Sequence, residues 1–571
     1  MGNTIKIAII GNCTTDYLGM ALQSAAGVYN LQAEIYNGPY NQYMQEVLNR
    51  ESGLYRFAPE LVILWLEGKG LFPQWFDFNL LLEGKDKKTE WIREAAEAVV
   101  SPVEHILAGS GAKVIINNFR IPCHTPLGIL DNRKYPGLKA MIGLLNSAVE
   151  EWASERDRVF VFDYNSVCAA YGMDKAEDKK LYYAAKSPVS IPFANVMALE
   201  YMRYILPMKS KNKKCLVLDL DNTLWGGVAA EDGMEGIALD INGPGRCYYD
   251  FQAEIRNLYS KGILLAVNSK NNEKDALEII ENHPHMLLRK DHFSILKINW
   301  RDKVSNLREI ARELNIGTDS MVFFDDNPAE REYVKSNLPE VKVVQVPEDA
   351  AKFAETLQKL PDFELLDITE DDLKRNRMYR DNIKRKEESY HFSNAEDFIK
   401  SLETEITIAP ANALSIPRIS QLTLKTNQFN MTTKRYQTGE IAGMADSDEY
   451  LVASCSVRDR FGDSGISGVC IVKLQGSSAV IDTFLLSCRV LGRNIEFAFL
   501  EAIVEMLRGK NRSTIFARFV RTGKNSAFEG FYSESGFSAD SSDGNETYFS
   551  LGGESRIKTH DYIKVSIKSG G

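Results

Sequence analysis

The sequence predicts an α/β protein of three domains, and three observations support this prediction. The chain has 571 residues, which at roughly 150 residues per domain is too long for a single core. Through residues 1–365, apolar runs of strand length alternate with segments of helical period, as is typical of parallel sheets covered by helices. From residue 404 onward, longer strand-like runs follow one another closely, which indicates an α+β domain.

The composition is that of an ordinary globular protein, with 44% hydrophobic and 26% charged residues. The formal net charge is −10, which argues against nucleic-acid binding because that binding requires a basic face. No apolar run approaches the roughly 18 residues of a membrane span, and the first residues predict a strand rather than a signal peptide. The 8 cysteines include no Cys-x-x-Cys pair. We therefore expect a cytoplasmic protein with reduced thiols and with no membrane or nucleic-acid partner.

Residues 1–205 are predicted to form the first α/β domain. Its strand candidates are Ile5-Lys-Ile-Ala-Ile-Ile-Gly11, Glu60-Leu-Val-Ile-Leu-Trp, Lys113-Val-Ile-Ile-Asn-Asn and Arg158-Val-Phe-Val-Phe-Asp163. This order is similar to the SGNH-hydrolase-like fold, in which a Gly-Asp-Ser block follows the first strand. Here the block is Gly11-Asn12-Cys13, and Asn117 and Asn118 stand where that family has its oxyanion-hole asparagine. We expect a non-catalytic scaffold or docking domain, with Cys13 as a nucleophile at a strand end as the alternative.

The most informative motif is Cys215-Leu-Val-Leu-Asp219-Leu-Asp221-Asn-Thr223-Leu-Trp-Gly-Gly. Its apolar run predicts a buried parallel strand, whose carboxyl end is where open α/β sheets bind their ligands. Asp219 and Asp221 are two residues apart and so share one face. Two carboxylates at such spacing repel each other unless a cation lies between them. The motif predicts magnesium-assisted phosphoryl transfer, with Asp219 as nucleophile and Asp221 as acid/base.

Further motifs follow in the order that this chemistry needs. A second apolar run ends at Ser269, whose hydroxyl can donate to a phosphoryl oxygen. Lys303 opens a helix-like stretch and would neutralise the charge on the transferring phosphoryl group. A third apolar run ends in Asp325-Asp326, and one of these acids is expected to complete an oxygen-only Mg²⁺ site with Asp219 and Asp221.

The order Asp-x-Asp-x-Thr, Ser, Lys, Asp-Asp resembles the haloacid dehalogenase (HAD) superfamily of phosphotransferases, which implies a Rossmann-type domain over residues 209–365. Further segments are similar to the FkbH-like family: Leu224-Trp-Gly-Gly-Val, Glu231-Asp-Gly, Pro244-Gly, Phe251-Gln, Ser269-Lys-Asn-Asn, Asn299-Trp and Asp325-Asp-Asn-Pro-Ala-Glu-Arg331-Glu. Members of that family combine phosphatase chemistry with acyl transfer. They load a glyceryl unit from 1,3-bisphosphoglycerate onto an acyl carrier protein for polyketide-type or tetronate-type assembly.

This resemblance also implies a substrate site. The cap between the first two motifs, residues 228–268, is small or absent, which suits a macromolecular substrate. Arg246 lies in this segment and is a candidate contact for the glyceryl group. The residues expected to bind substrate or phosphate are Asn222, Thr223, Gly226, Gly227, Arg246, Lys270 and Asn271.

Residues 366–403 are rich in charge and poor in Gly and Pro, and they predict a solvated helical connector. Two basic clusters, Lys209-Ser-Lys-Asn-Lys-Lys214 and Lys384-Arg-Lys386, interrupt an acidic protein. Because carrier proteins are typically acidic, either cluster is a candidate for steering one, and ordinary solvated faces are the alternative.

Residues 404–560 form the third predicted domain. After strand Ala479–Cys488, the loop Arg489-Val-Leu-Gly492-Arg493-Asn494 leads into an amphipathic helix. This order resembles the GNAT acyltransferase fold, in which such a loop presents backbone N–H groups to the pyrophosphate of coenzyme A. Asn494 stands where that family has Gly or Ala, an obstacle to a pyrophosphate but not to the single phosphate of a phosphopantetheine arm. The residues implied to bind pantetheine are Arg489, Gly492, Arg493, Asn494, Asn525 and Tyr532; a strand-to-helix turn with Asn494 as N-cap is the alternative.

An enzyme-bound thioester would need a cysteine near a reacting site. Some FkbH-like sequences carry Cys before the motif Ser, where this chain has Asn268. The remaining candidates are Cys215, Cys247 and Cys488, and Cys488 is preferred because it adjoins the predicted pantetheine loop. A buried structural role for Cys488 and direct transfer to the carrier's thiol are the alternatives.

The leading hypothesis is an enzyme, a HAD-type phosphatase and glyceryl transferase that uses Mg²⁺ and a carrier protein's phosphopantetheine arm. One alternative is a plain Mg²⁺-dependent phosphatase that acts on a soluble phosphate ester. The other is a non-catalytic scaffold that recruits a carrier protein. The intact acidic motifs argue against the scaffold, and the C-terminal domain argues against the plain phosphatase.

Overall fold

The computed structural model of the protein describes residues 3–553, 555, 557–558 and 560–568, with nothing said of the side chain at position 371. The chain divides into two compact units, Met1–Lys209 and Ser210–Gly571. The first unit holds one five-stranded sheet, and the second holds a five-stranded and a nine-stranded sheet. This multi-domain α/β architecture confirms the predicted fold class. Among the residues described, no helix is long and apolar enough to span a membrane.

The sheet of the first unit is parallel throughout, in the order β2-β1-β3-β4-β5. Its strands are β1 Thr4–Gly11, β2 Gln32–Asn37, β3 Leu61–Trp65, β4 Lys113–Asn117 and β5 Val159–Phe162. Its helices are α1 Asp16–Val28, α2 Tyr43–Leu48, α3 Gly53–Phe57, α4 Gly68–Leu71, α5 Lys85–Gly109, α6 Leu138–Ser154, α7 Tyr164–Tyr171, α8 Met173–Ala176, α9 Lys179–Ala185 and α10 Ile191–Met208. All five residues of β3 are buried, because helices cover both faces of the sheet and each face has its own apolar cluster.

The second unit begins with another parallel sheet, in the order β10-β9-β6-β7-β8. Its strands are β6 Cys215–Leu218, β7 Leu264–Ser269, β8 Phe293–Ile298, β9 Met321–Phe324 and β10 Lys342–Val343. Its helices are α11 Ala229–Gly236, α12 Arg246–Ser260, α13 Glu273–Asn282, α14 Lys303–Leu314, α15 Pro328–Asn337 and α16 Phe353–Gln358. The chain leaves β6 toward β7 on one side and returns to β9 on the other. The carboxyl end of β6 is therefore the topological switch point, where such sheets open a crevice for ligands.

A long helix follows this sheet and packs against it. The two helices of the connecting segment are α17 Glu370–Ser389 and α18 Ala395–Ser401. Asn376 of α17 donates to the Tyr259 carbonyl (2.6 Å), and Arg375 donates to the Gly262 carbonyl (3.4 Å). Gly262 has φ +84°, and a Cβ there would lie 2.2 Å from the Asp372 carbonyl oxygen, so only glycine permits this approach.

The prediction of a solvated connector is wrong for α17, whose buried face joins two modules. Arg385 binds Asp459 of the following sheet through two hydrogen bonds of 2.5 and 2.8 Å. Arg493 donates to the same carboxylate (3.0 Å) and to Asn382 of α17 (2.9 Å). Arg385 is thus buried and paired, whereas Lys384 next to it is exposed.

The last sheet is mostly antiparallel, in the order β17-β18-β16-β15-β14-β13-β11-β19, with β12 paired to β15. Its strands are β11 Glu405–Pro410, β12 Phe429–Asn430, β13 Tyr450–Asp459, β14 Gly462–Gln475, β15 Ser478–Leu486, β16 Thr514–Val520, β17 Ser538–Asp543, β18 Glu546–Leu551 and β19 Lys564–Ile567. Its helices are α19 Ile416–Lys425, α20 Thr438–Ala445, α21 Ile495–Gly509 and α22 Phe531–Glu534. β15 and β16 are parallel, and their paired register ends at Ile481 and Ala517.

Beyond that point, β12 and the residue after it, Met431, fill the gap between β15 and β16. β12 pairs with the end of β15, and Met431 bridges the two strands: its N–H donates to the Phe484 carbonyl (3.0 Å), and its carbonyl accepts from Val520 N–H (2.7 Å). Phe429 is fully buried, with ring centroids of Phe528 and Phe531 at 4.8 and 5.0 Å. The diverging strands are thus sealed by backbone pairing and by an aromatic cluster.

Candidate phosphatase site

The candidate site lies where three parallel strands of the second sheet end. Asp219 follows β6, Ser269 is the last residue of β7, and Asp325 follows β9. β6 pairs with both β7 and β9, so parallel register brings the three residues to the same edge of the sheet. All three residues are buried, as is Lys303 at the start of α14. The sequence prediction that these residues meet at one site is in agreement with this arrangement.

Three carboxylates converge at this edge. One oxygen each from Asp219, Asp325 and Asp326 lies within 4.8 Å of the others. Asp219 Oδ1 is buried and has no hydrogen-bond partner among the described residues. A buried carboxylate oxygen without a partner is costly, and a hard cation would supply one. The acidic cluster therefore fits Mg²⁺, with both Asp325 and Asp326 contributing carboxylates.

Lys303 balances part of this negative charge. Its Nζ lies 2.9 Å from Asp219 Oδ2 and 2.5 Å from Asp325 Oδ2. Burial alone would lower the pKa of Lys303, but the two carboxylates outweigh burial and raise it, so the side chain stays charged. Asn268 Nδ2 donates to the Lys303 carbonyl (2.9 Å) and so fixes the start of α14.

The two acids that follow β9, Asp325 and Asp326, both have raised pKa values. Burial, followed by repulsion from Asp219, raises the pKa of Asp325 to about 7, with Lys303 opposing the shift. Burial and the Asp219 charge also raise the pKa of Asp326. Asp326 is tied to the first motif, because Thr223 Oγ1 donates to its Oδ1 (3.1 Å). A bound cation would stabilise the ionised form of these carboxylates.

Asp221 differs from the other acids, and its predicted role as a metal ligand is not supported. Its Oδ1 accepts from the Trp225 ring N–H and from Ala229 N–H, each at 3.0 Å, and its Oδ2 accepts from Asn271 at 2.9 Å. It stands outside the convergent carboxylate group of the described residues. Burial raises the pKa of Asp221, against these donors and with help from the Asp219 charge. A carboxyl of raised pKa beside the nucleophile suits proton transfer.

The remaining predicted substrate residues fall into two groups. Asn222 (φ +53°) and Gly227 close the turn after β6, where Gly227 N–H donates to Asn222 Oδ1 (2.9 Å), with Gly226 beside them. Lys270 is ion-paired with Glu330 at the rim. Arg246 is exposed and paired with Asp250 (2.7 Å) at the start of α12. Thr223 and Asn271 support the acids, whereas Lys270 and Arg246 lie at the periphery.

Sequence reasoning missed the residues that hold the catalytic ones. Asn306 bridges Asn268 and Asn299 with two 3.1 Å hydrogen bonds, behind Lys303. Arg331 donates to the carbonyls of Asp325 (2.7 Å) and Asp326 (2.6 Å). Arg331 stands in the quoted Asp-Asp motif, so its position was a usable signal. The asparagines were not, because they lie on β7, after β8 and on α14, which the sequence does not place side by side.

In the first unit, Cys13 is buried after β1, and both the scaffold interpretation and the nucleophile alternative stay predictions. Burial, then the charge of Glu67, raises the pKa of Cys13 well above its ordinary value, which disfavours the thiolate. Asn117 is occupied by the backbone of Leu66 (2.8 and 2.9 Å), and Asn118 donates to Asp163 (2.8 Å). These asparagines tie loops together instead of facing a ligand.

The predicted pantetheine residues are largely interior. Tyr532 and Asn525 are fully buried, and Asn525 donates to the carbonyls of Asn430 (3.0 Å) and Val520 (2.9 Å). Arg489 and Arg493 are buried against α17, as described above for Arg493. Asn494 (φ +61°) donates to the Tyr562 hydroxyl, while Gly492 (φ +75°) shapes the turn. The side chains of Arg489, Arg493, Asn525 and Tyr532 thus contact the protein itself, and the assignment of this set to pantetheine binding stays a prediction.

Cys488 lies at the contact between the two modules of the second unit. Its carbonyl accepts a hydrogen bond from Asn315 of the phosphatase module (2.9 Å), and its side chain is half-buried beside Tyr379 and Lys214. The phosphatase carboxylates are at the opposite ends of the parallel strands from Lys214. An acyl group on Cys488 would therefore sit away from the phosphatase site.

An aspartate at a switch point, with a lysine and an acid pair around it, is an arrangement typical of HAD-type phosphatases. A family model described as FkbH, N-terminal domain, matches residues 6–205. A solved structure of the N-terminal part of BF1531 from Bacteroides fragilis, containing a phosphatase domain complexed with Mg, is 30% identical with a TM-score of 0.59, and the match covers 64% of this chain and 95% of that one. The chain belongs to the FkbH-like family.

Other solved structures match a smaller part of the chain at lower similarity. The ribosomal-protein-S18-alanine N-acetyltransferase from Escherichia coli is 13% identical with a TM-score of 0.21, and the match covers 27% of this chain and 97% of that one. The GNAT domain of S. lividans PAT is 12% identical with a TM-score of 0.22, over 25% of this chain and 89% of that one. A comparison with curated protein sequences finds no match.

Proposed function

We propose that the protein takes the three-carbon unit of 1,3-bisphosphoglycerate, removes its phosphate ester and loads the glyceryl group as a thioester on an acyl carrier protein. The observation that carries the phosphatase half is Asp219, whose Oδ1 is buried and unpartnered while its Oδ2 is held by Lys303. Membership of the FkbH-like family supports the transfer half.

In the phosphatase half, Asp219 attacks the phosphorus of the carbon-3 ester, and the P–O bond to the glyceryl oxygen breaks. Asp221, with its raised pKa, gives its proton to that leaving oxygen. The aspartyl phosphate is then hydrolysed by a water molecule that Asp221 deprotonates. Lys303 and Ser269 hold the phosphoryl oxygens through both steps. Mg²⁺, held by the carboxylates of Asp219, Asp325 and Asp326, would neutralise the developing charge.

In the transfer half, the carrier's thiolate attacks the carbonyl carbon of the acyl phosphate, and phosphate leaves with the electron pair of the broken C–O bond. We favour direct transfer to the carrier's thiol. Burial strongly raises the pKa of Cys215, and it also raises the pKa of Cys247, so neither is a ready nucleophile. Cys488 lies at the module contact, away from the phosphatase carboxylates.

Intact-mass spectrometry tests the proposal. A phosphopantetheinylated acyl carrier protein is incubated with the protein, Mg²⁺ and freshly generated 1,3-bisphosphoglycerate. The expected product is the carrier plus one glyceryl group, and Asp219→Asn should give either phosphoglyceryl carrier or no adduct. Release of phosphate from simple esters without an adduct on any carrier would contradict glyceryl loading and favour a plain phosphatase.

A further inference from the structure

One large aromatic side chain stands exposed beside the phosphatase site. All 6 tryptophans of the chain lie among the described residues, and Trp300 is the only one of them that is exposed, at 69%. It belongs to the Asn299-Trp motif, after β8 and three residues before Lys303. A single exposed apolar side chain is ordinary, but this one is fixed at the edge of the sheet where the carboxylates converge.

The backbone on both sides of Trp300 is fixed by Asn299. Asn299 N–H donates to the Ser269 carbonyl (3.1 Å), and Asn299 Oδ1 accepts from Arg301 N–H (3.0 Å). The ring N–H of Trp300 donates to Asn272 Oδ1 (3.4 Å). The indole therefore bridges the loops that follow β7 and β8, with its polar edge bonded and much of its apolar surface in solvent.

A series of hydrogen bonds joins this indole to the acid of the phosphatase site. Asn272 N–H donates to Asn271 Oδ1 (2.9 Å), and Asn271 Nδ2 donates to Asp221 Oδ2 (2.9 Å). Trp300 is thus connected through two asparagines to the carboxyl group that is suited to proton transfer. The indole forms part of the rim of the site on the side of β7 and β8.

The distance from the reacting aspartate limits what Trp300 can contact. Asp219 follows β6, and β7 lies between β6 and β8 in the sheet. At a strand spacing of about 4.8 Å, the backbone of Trp300 is roughly 10 Å to the side of Asp219. The phosphorus of a 3-phosphoglyceryl unit is four bonds, or about 5 Å, from its acyl carbon. The glyceryl unit therefore ends before Trp300, and a group attached to its acyl carbon can extend to the indole.

We propose that Trp300 contacts the pantetheine arm of a phosphoglyceryl thioester, so that the phosphatase site hydrolyses the carbon-3 ester after the acyl group has been loaded on the carrier. A glyceryl unit has hydroxyl groups and little apolar surface, whereas the arm has methyl and methylene groups that can pack on an indole face. This inference rests on the proposed glyceryl loading and adds an order of steps to it.

The bond changes follow in this order. The carrier's thiolate first attacks the acyl phosphate, so that the C–S bond forms and phosphate leaves with the electron pair of the C–O bond. With the arm on Trp300, the carbon-3 P–O bond then breaks as the phosphoryl group moves to Asp219, and Asp221 gives its proton to the carbon-3 oxygen. Water, deprotonated by Asp221, releases phosphate from Asp219. One water molecule is consumed, and the products are glyceryl thioester and phosphate.

The test measures phosphate release from two esters by the full-length protein with Mg²⁺: 3-phosphoglycerate and the 3-phosphoglyceryl thioester of pantetheine. The wild-type kcat/KM should be about tenfold higher for the thioester, which alone reaches the indole. Trp300→Ala should raise KM for the thioester about tenfold, with kcat within about twofold, and should leave hydrolysis of 3-phosphoglycerate unchanged. Trp300→Phe should keep most of the preference, because an aromatic ring remains.

Tyr390→Ala is the matched control, since it removes an aromatic side chain that is 77% exposed elsewhere in the second unit. It should change neither activity. Equal losses on both esters in Trp300→Ala, or equal losses in Trp300→Ala and Trp300→Phe, would assign Trp300 to supporting Asn272 and would overturn the proposal.

The remaining outcomes separate this inference from the proposed function. Equal wild-type kcat/KM for the two esters would overturn the order of steps, while glyceryl loading detected by intact mass would be unaffected. A preference for the thioester that Trp300→Ala removes supports the contact, even where no carrier is loaded. Hydrolysis of neither ester would overturn the phosphatase step together with this order.

Discussion

At the residue scale, the two aspartates of the first motif have different neighbours. Asp219 is ion-paired with Lys303 and lies beside the acid pair. The Asp221 carboxylate instead accepts hydrogen bonds from Trp225, Ala229 and Asn271. Two carboxylates of different environment can serve as nucleophile and as proton carrier at one pH. The difference arises from the donors around each group, since the residue type is the same.

This separation predicts how Asp221→Asn behaves. The variant should lose about 10²–10⁴-fold in kcat on an alkyl phosphate, because the leaving alkoxide needs a proton. With an aryl phosphate, whose leaving group is acidic, the variant should lose much less of the rate of the first step. The loss of the proton donor should also remove the basic limb of the pH profile of kcat, since the raised pKa keeps Asp221 protonated to higher pH in the wild type.

The measurement is kcat across esters of graded leaving-group pKa, with Lys384→Gln as a surface control. If kcat fell by the same factor for both classes of ester, Asp221 would not be the group that protonates the leaving oxygen. Single-turnover phosphate transfer to Asp219 separates the first step from hydrolysis of the intermediate.

The sequence predicted that Asp219, Ser269 and Asp325 lie close together, because each stands at the end of an apolar strand and parallel strands bring their ends together. The sequence did not predict how the side chains are oriented. The spacing places Asp221 on the same face as Asp219, but the turn that carries Trp225 and Ala229 captures its carboxylate. The resemblance that implied a ligand role for Asn525 and Tyr532 likewise did not indicate that both side chains are buried.

At the element scale, α17 is the structural link of the second unit. One end rests on Gly262 before β7, and the other end pairs with Asp459 at the end of β13. Charge density alone predicted solvent exposure because a sequence does not reveal which charges are paired. Arg385 is buried in spite of its charge, because it pairs with Asp459 in another module.

Gly262→Ala should therefore destabilise the second unit. The new Cβ would meet the Asp372 carbonyl at 2.2 Å and would also strain a backbone at φ +84°. We expect a loss of about 1–3 kcal/mol in the free energy of unfolding from strain, with α17 displaced from the sheet. Chemical denaturation and hydrogen exchange at residues 370–389 provide the measurement.

Gly476→Ala is the matched control. It also has a positive φ, +55°, but a Cβ there meets nothing within 4 Å. The loss in the free energy of unfolding should come from the backbone conformation alone and amount to about 1 kcal/mol. Equal effects of the two substitutions would show that the close approach of α17 to Gly262 contributes nothing.

At the scale of the whole molecule, the chain separates after Lys209 into two compact units. The first unit has its own clusters on both faces of its sheet, and the second has clusters in both of its sheets. Residues 210–571 thus hold the phosphatase carboxylates together with the module that α17 attaches.

The fragment 210–571 should retain Mg²⁺-dependent hydrolysis of a simple phosphate ester, within a few-fold of the full chain, because every residue of the site lies within it. A shorter fragment, 210–366, should be less stable because it lacks α17, which covers Tyr259 and Gly262. Steady-state kinetics and melting of the two fragments test this. Loss of activity in 210–571 would show that the first unit completes the site.

The buried segment between β15 and β16 has a metabolic consequence. Cells hold abundant coenzyme A thioesters, which are extended molecules that could pair with the exposed edges of two diverging strands. Here those edges are already taken by β12, and an entering thioester would have to expel Phe429 at a cost of about 3 kcal/mol in apolar burial alone. Entry of such a thioester between these two strands therefore requires that β12 and Phe429 be displaced first.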